Sequence, residues 1–234
     1  MSDDGVLATL AEMVSRGEYL DSIPGVPGAA LTGGGAFQRS PSDEMRRMYT
    51  RGSPEHIQAA RRGLVDRLPA LAVALPEAVA EAEATIGQPL PPLLRRLYLE
   101  VANGGVGPGY GILGLRGGHR DTRRTALDLY RQAHEGPEAW WPFLAPSLLP
   151  ICHWGCAIYS FVDCSAVDGP MWGWDPNPGP TDETALFPSY VGLGGWLEKW
   201  IDGRLYQPTL IQDDQTGLWR GATDAEMEQW AEEA

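Results

Sequence analysis

Residues Leu148-Leu-Pro-Ile-Cys-His-Trp-Gly-Cys-Ala-Ile-Tyr-Ser-Phe161, continuing through Val162-Asp-Cys164, form two apolar runs joined by a short Trp154-Gly155 corner. Near-continuous apolar runs of this length, bounded by turn residues, read as adjacent strands buried on both faces. A chain built around such a pair must cover both faces with other elements, which constrains everything on either side of it.

All three cysteines, with His153, lie in this stretch. Cys152, His153, Cys156 and Cys164 are ligand types suited to zinc, yet they contain no C-x-x-C pair, and strand alternation sends Cys152 and His153 to opposite faces. No metal or cofactor is expected, and free cysteine commonly fills cores as a small apolar residue. A cysteine nucleophile with a base drawn from His56, His119, His134 or His153 is the enzyme alternative, although no local signature supports it. Gly109-Tyr-Gly-Ile-Leu-Gly114 matches G-x-G-x-x-G, but a Gly-rich loop precedes it and Leu115-Arg-Gly-Gly118 follows where a helix should begin, so it reads as a strand with its entry turn. Lys199 is the single lysine, which excludes a P-loop. Asp175-Pro-Asn-Pro-Gly-Pro180 reads as a rigid turn rather than a calcium loop. No catalytic residue is assigned.

At 234 residues, 43% hydrophobic and with nine tryptophans, the chain can bury a full core. It has no apolar run long enough to span a membrane. Its start, Met1-Ser-Asp-Asp-Gly, lacks the basic and apolar parts of a secretory signal, so a cytoplasmic location with reduced thiols is expected. A net charge of −13 opposes direct nucleic acid binding and favours a basic protein partner. The acid is unevenly placed: Gln132 to Glu198 contains no Lys or Arg but holds Glu135, Glu138, Asp163, Asp168, Asp175, Asp182, Glu183 and Glu198.

Taken in order, Val6 to Arg16 shows helical spacing and Gly17 could end it, whereas Ile23 to Gly35 is too rich in Gly and Pro for regular structure. Ser53-Pro-Glu-His opens a helix expected to reach about Leu68. A second runs from Pro76 to Gly87 with Leu75, Val79, Ala82 and Ile86 as its stripe. A third follows Leu90-Pro-Pro92 and stops at Asn103-Gly104-Gly105. A strand at Tyr110 to Leu115, a helix from Asp121 to about His134, and a strand at Met171 to Trp174 are expected next. Tyr190 to Asp202 reads as a strongly amphipathic helix, and Thr223-Asp-Ala-Glu226 as a capping box opening a short acidic one. These divide the chain into an N-terminal extension over 1–52, partly irregular, a main domain over 53–212, and an acidic helical tail over 213–234.

The order of landmarks resembles the SUKH superfamily, which includes yeast cell-wall-synthesis regulators and bacterial immunity proteins that neutralise toxins. The landmarks are Ile86-Gly87, Leu90-Pro91, a Leu-rich helix, Asn103-Gly104-Gly105, Leu149-Pro-Ile-Cys-His-Trp-Gly-Cys156, and the Trp196-Leu-Glu-Lys-Trp200 helix. The resemblance covers roughly Leu71 to Gly203. It implies an α+β domain with a mostly antiparallel mixed sheet flanked by helices, working by protein binding rather than catalysis. His153 departs from the pattern, standing where an acidic residue is usual.

The expected function is therefore non-catalytic: an immunity-type protein that binds and neutralises a cognate basic toxin. Trp172, Trp174, Asp175, Asp182 and Glu183 are the expected contact residues, with core packing competing for both tryptophans. A Cys/His enzyme near Cys152 to Cys164, or a regulatory scaffold without a toxin, are the alternatives.

Overall fold

The computed structural model describes residues 1–26, 37–39, 45–121, 123–135, 141, 143–179 and 183–233. Its centre is an antiparallel sheet in the order β4-β5-β6-β7, formed by β4 (Leu148–Gly155), β5 (Ile158–Asp163), β6 (Pro170–Trp174) and β7 (Leu186–Gly192). The two apolar runs are its neighbours β4 and β5. The corner between them falls later than expected, because Gly155 pairs with Ile158 and the turn residues are Cys156 (φ 48°) and Ala157 (φ 61°). A two-residue hairpin needs two consecutive positive-φ residues to match strand twist, and here that need overrides the usual preference for glycine.

Helices flank this sheet. α1 (Asp3–Arg16) ends at Gly17 in the left-handed conformation, α2 is Pro54–Arg61, and α3 (Pro76–Ile86) ends at left-handed Gly87. α4 (Pro92–Arg96) runs into a π-turn over Leu97–Val101, and α5 (Ala126–His134) opens with a Thr125–Asp128 capping box. α6 (Leu193–Ile201) packs Leu193, Trp196, Leu197 and Trp200 inward. The fold is α+β, and the expected antiparallel pairing is observed in every named strand pair.

Several boundaries differ. α2 stops well before Leu68 because Gly63 takes φ 67°, after which Val65 turns back to bridge Gly25. Leu75 is 68% exposed at the α3 N-cap, so Ala78, not Leu75, joins the buried stripe. The first three residues of the helix expected over Tyr190 to Asp202 are instead the end of strand β7, and α6 begins at Leu193. Short strands β1 (Ser22–Pro24), β2 (Phe37–Arg39) and β3 (Met45–Thr50) make a second sheet within the expected extension. β8 (Leu210–Gln212), β9 (Trp219–Gly221) and α7 (Asp224–Glu233) close the chain.

The N-terminal segment is tied to the main sheet's partners. Val6, Leu7, Leu10 and Met13 belong to the common core. Trp200 Nε1 donates to Asp21 Oδ1 at 2.6 Å, and Arg51 lies over the Trp200 ring at 4.4 Å while donating to the Trp200 carbonyl. Buried Trp200 thereby finds the polar partner that its indole N–H requires.

Residues 103–119 are a glycine interlock rather than a strand; among them only Ile112 forms a β-bridge, to Cys152. Buried Asn103 accepts from Leu115 N through Oδ1 at 2.8 Å, donates from Nδ2 to the Arg116 carbonyl, and accepts His119 N at its own carbonyl. A Cβ at Gly118 would lie 2.3 Å from Asn103 Cγ, and one at Gly114 would lie 2.4 Å from the Asn103 carbonyl oxygen. Tyr98 adds a buried hydroxyl bond to the Leu113 carbonyl. The glycines that imitate a dinucleotide motif serve close backbone packing. Replacing Asn103 with Ala leaves Leu115 N and the Arg116 carbonyl without partners, and is expected to cost roughly 2–3 kcal/mol in urea unfolding. A cost under about 0.5 kcal/mol would mean that the glycine contacts alone hold the loop.

Candidate functional site

The five predicted contact residues do not form one exposed face. Trp174 is 4% exposed and packs on Trp141 and Phe143, with ring centroids 5.9 and 5.4 Å away. Trp172 is half-buried against the core. Asp175, also 4% exposed, is a bracket: Oδ2 accepts Leu210 N at 3.0 Å, and Oδ1 accepts both nitrogens of Asn177. Its carboxylate fastens β8 to the end of β6, so Trp174 and Asp175 are corrected from surface to interior. The reason is that Trp141 and Phe143, from the segment before the sheet, cover Trp174 while β8 folds onto Asp175, which strand alternation within β6 cannot reveal. Glu183 is exposed, and Asp182 lies outside the described residues.

The cysteines and His153 separate by burial. Burial pushes the Cys152 thiol well above its ordinary range, and nearby Asp21 and Asp121 push the same way. Burial likewise raises Cys164, to about 12. Both shifts oppose the thiolate that nucleophilic chemistry needs. Cys156 is exposed at the hairpin turn. His153 contacts Asp121 Oδ2 through Nδ1 at 2.6 Å and stacks on Tyr159 with centroids 4.6 Å apart. The imidazole thus takes its carboxylate partner from the loop before α5. Among the described residues no group of three or more His, Cys, Asp and Glu is placed to hold a metal ion.

A different surface carries the features associated with recognition. A groove of about 260 Å³ runs between β7, α6 and the C-terminal segment, lined by residues including Phe187, Tyr190, Trp196, Leu205, Tyr206 and Met227. At its edge Tyr190 is 92% exposed and has φ 53°. A non-glycine residue held in this region costs on the order of 1–3 kcal/mol and marks a constrained site. Sequence periodicity assigns Tyr190 to a helix start, which hides this conformation. The signal in the sequence is the aromatic and β-branched content of Phe187, Tyr190 and Val191, which suits a strand better than a helix start.

Charge on this side is one-sided. From Gln132 to Glu233 the basic side chains are Lys199, Arg204 and Arg220, apart from histidine. Each is engaged: Lys199 with Asp224, Arg204 with Asp202, and Arg220 with Asp213 and Glu226. Glu183, Asp214, Glu228 and Glu232 are exposed and have no ion-pair partner among the described residues.

A family model for the SMI1/KNR4 family (SUKH-1) matches residues 74–199, more than half of the chain. The chain belongs to the SMI1/KNR4 (SUKH-1) family. The matched SUKH-1 stretch runs from just before α3 into α6 and contains the Asn103 interlock, the β4–β5 hairpin and the Tyr190 segment. α1, α2, the small N-terminal sheet and β8 to α7 lie outside it. No curated protein and no solved structure matches this SUKH-1 chain significantly.

Two outcomes check the chemistry of the cluster. Thiol labelling of the native protein is expected to modify Cys156 rapidly and to leave Cys152 and Cys164 unmodified until unfolding; a second fast equivalent would revive the enzyme reading. Burial lowers the His153 pKa, with Asp121 opposing and Arg124 reinforcing the shift. The unfolded chain therefore binds this proton more readily, and stability falls as pH drops below the unfolded value of about 6.5 toward the lower folded one. His153→Gln is expected to flatten the slope of unfolding free energy between about pH 7 and 5.5, a slope limited to roughly 1.4 kcal/mol per pH unit for one group. An unchanged slope would contradict this assignment.

Proposed function

We propose that this SUKH-1 domain is a non-catalytic protein-binding module of the immunity type, which binds a cognate basic toxin in the cytoplasm and neutralises it. The observation that carries the reading is the carboxylate surplus from Glu183 to α7, where each Lys and Arg is already in an ion pair. Such a surface speeds encounter with a basic partner and rejects acidic ones, while apolar contacts supply most of the affinity. Toxins that cut nucleic acids carry basic surfaces for their substrates, and an acidic module covering that surface competes with the phosphates. The raised Cys152 and Cys164 pKa values favour this reading over thiol catalysis. No helix among the described residues is long and apolar enough to cross a membrane. Glu183 and the accessible part of Trp172 belong to this proposed contact region; Trp174 and Asp175 support it from beneath.

The test begins with the genes adjacent to this chain's, where a toxin domain is expected, and continues with co-expression of that domain; absence of any toxin gene there would count against the proposal. Cells killed by the toxin domain alone are expected to grow when this chain is present, and the purified pair is expected to co-elute, with weaker binding at high salt. Continued killing with both proteins expressed and folded would overturn the proposal.

A further inference from the structure

We propose that the Tyr190 bulge and the groove beside it form the seat for the basic protein partner, with Tyr190 as its aromatic anchor. The inference rests on the protein-binding reading above and adds where, and by which contact, the partner is held.

β7 is an edge strand, bonded to β6 on one side. Pro170 pairs with Gly192, and Trp172 pairs with Pro188, so Ser189, Tyr190 and Val191 stand opposite Met171 alone. Extra residues in an edge strand bend it and re-aim a side chain. Here the re-aimed residue is a tyrosine, 92% exposed, with φ 53°. No hydrogen bond or ring contact holds its side chain among the described residues, so packing within the chain does not account for a bulky residue at a position that suits glycine or asparagine. Display to a partner does.

The occupant is chosen by the surroundings. Tyrosine is enriched at binding hot spots because it offers a large rigid face with a polar tip. Trp196, Met227 and Leu205 line the groove behind it and can take a partner's apolar side chain. On the groove wall Asp224 is already paired with Lys199, so the uncompensated acid is exposed Glu228 and Glu232, which follow Asp224 on α7. Lysine or arginine next to an apolar side chain fits that combination. A second copy of this chain would bring the same carboxylates against it at a net charge of −13. Pro188 removes one backbone donor from β7, which disfavours capture by strand addition and leaves side-chain recognition.

The experiment compares the parent chain with Tyr190→Ala, Tyr190→Gly and Tyr190→Phe, measuring by calorimetry the affinity for the candidate toxin domain taken from the neighbouring genes, together with the thermal midpoint. Tyr190→Ala and Tyr190→Gly are expected to weaken binding at least tenfold, whereas Tyr190→Phe stays within about threefold. Neither loss is expected to accompany a lower midpoint, and Tyr190→Gly is expected to raise it by relieving the left-handed backbone. Tyr190→Ala binding as tightly as the parent would overturn this site while leaving the immunity reading intact. A parent chain that does not bind the toxin domain overturns the immunity reading and this inference with it. Loss of binding that tracks a lowered midpoint in both variants would assign Tyr190 a structural role and overturn the anchor.

Discussion

The bond from Leu115 N to the Asn103 side-chain oxygen, buried and 2.8 Å long, fixes where the loop after the π-turn must run. Asn103 can make that bond because Gly114 and Gly118 let the loop approach within distances that a Cβ would forbid. The same loop then delivers Leu113 N to the Ile151 carbonyl and Tyr110 N to the His153 carbonyl. One outer edge of the central sheet is covered in this way, while β7 at the other edge keeps a free side. The exposed edge and its bulge follow from which side the glycine loop protects.

Around this centre the sequence-distant parts are fastened by few polar contacts. Asp21 accepts from both Trp200 Nε1 and Gly109 N, joining the start of the chain to α6 and to the glycine loop. Asp175 does the corresponding work for the C-terminal segment by accepting Leu210 N. Asp21 is partly exposed, whereas the buried carboxylate of Asp175 is tolerated because hydrogen bonds satisfy it. The family match covers the sheet, and these two aspartates connect to it what lies outside the match.

Strain and charge then separate function from scaffold. Among the described residues the non-glycine positive-φ positions are Cys156, Ala157 and Tyr190. Geometry explains the first two as a hairpin turn. At Tyr190 the bulge in β7 explains the backbone but not the exposed tyrosine ring, which stands where the acid surplus and the groove meet, so three features converge on one face. The cysteine cluster, chemically the most suggestive stretch, shows the opposite pattern: its buried thiols are pushed away from reactivity.

Residue spacing by itself determined much of the helical framework. α1, α3, α7 and their caps are legible because an amphipathic stripe and a glycine or capping box are local features that tertiary packing rarely reverses. The β4–β5 pair and the family order were legible for the same reason. Tertiary structure alone decided the roles of Trp174 and Asp175, since whether a strand's second face meets water depends on what covers it: Trp141 and Phe143 from before the sheet for Trp174, and β8 from far along the chain for Asp175. It also decided that Tyr110 to Leu115 is an interlocked loop, because the contacts that require those glycines come from Asn103 and β4. Tyr190 was read as helical since Leu193 onward is strongly periodic; only pairing with β6 reveals that the preceding residues are an edge strand with a bulge. Local spacing encodes which residues can form an element, and long-range pairing decides which of their faces remains for a partner.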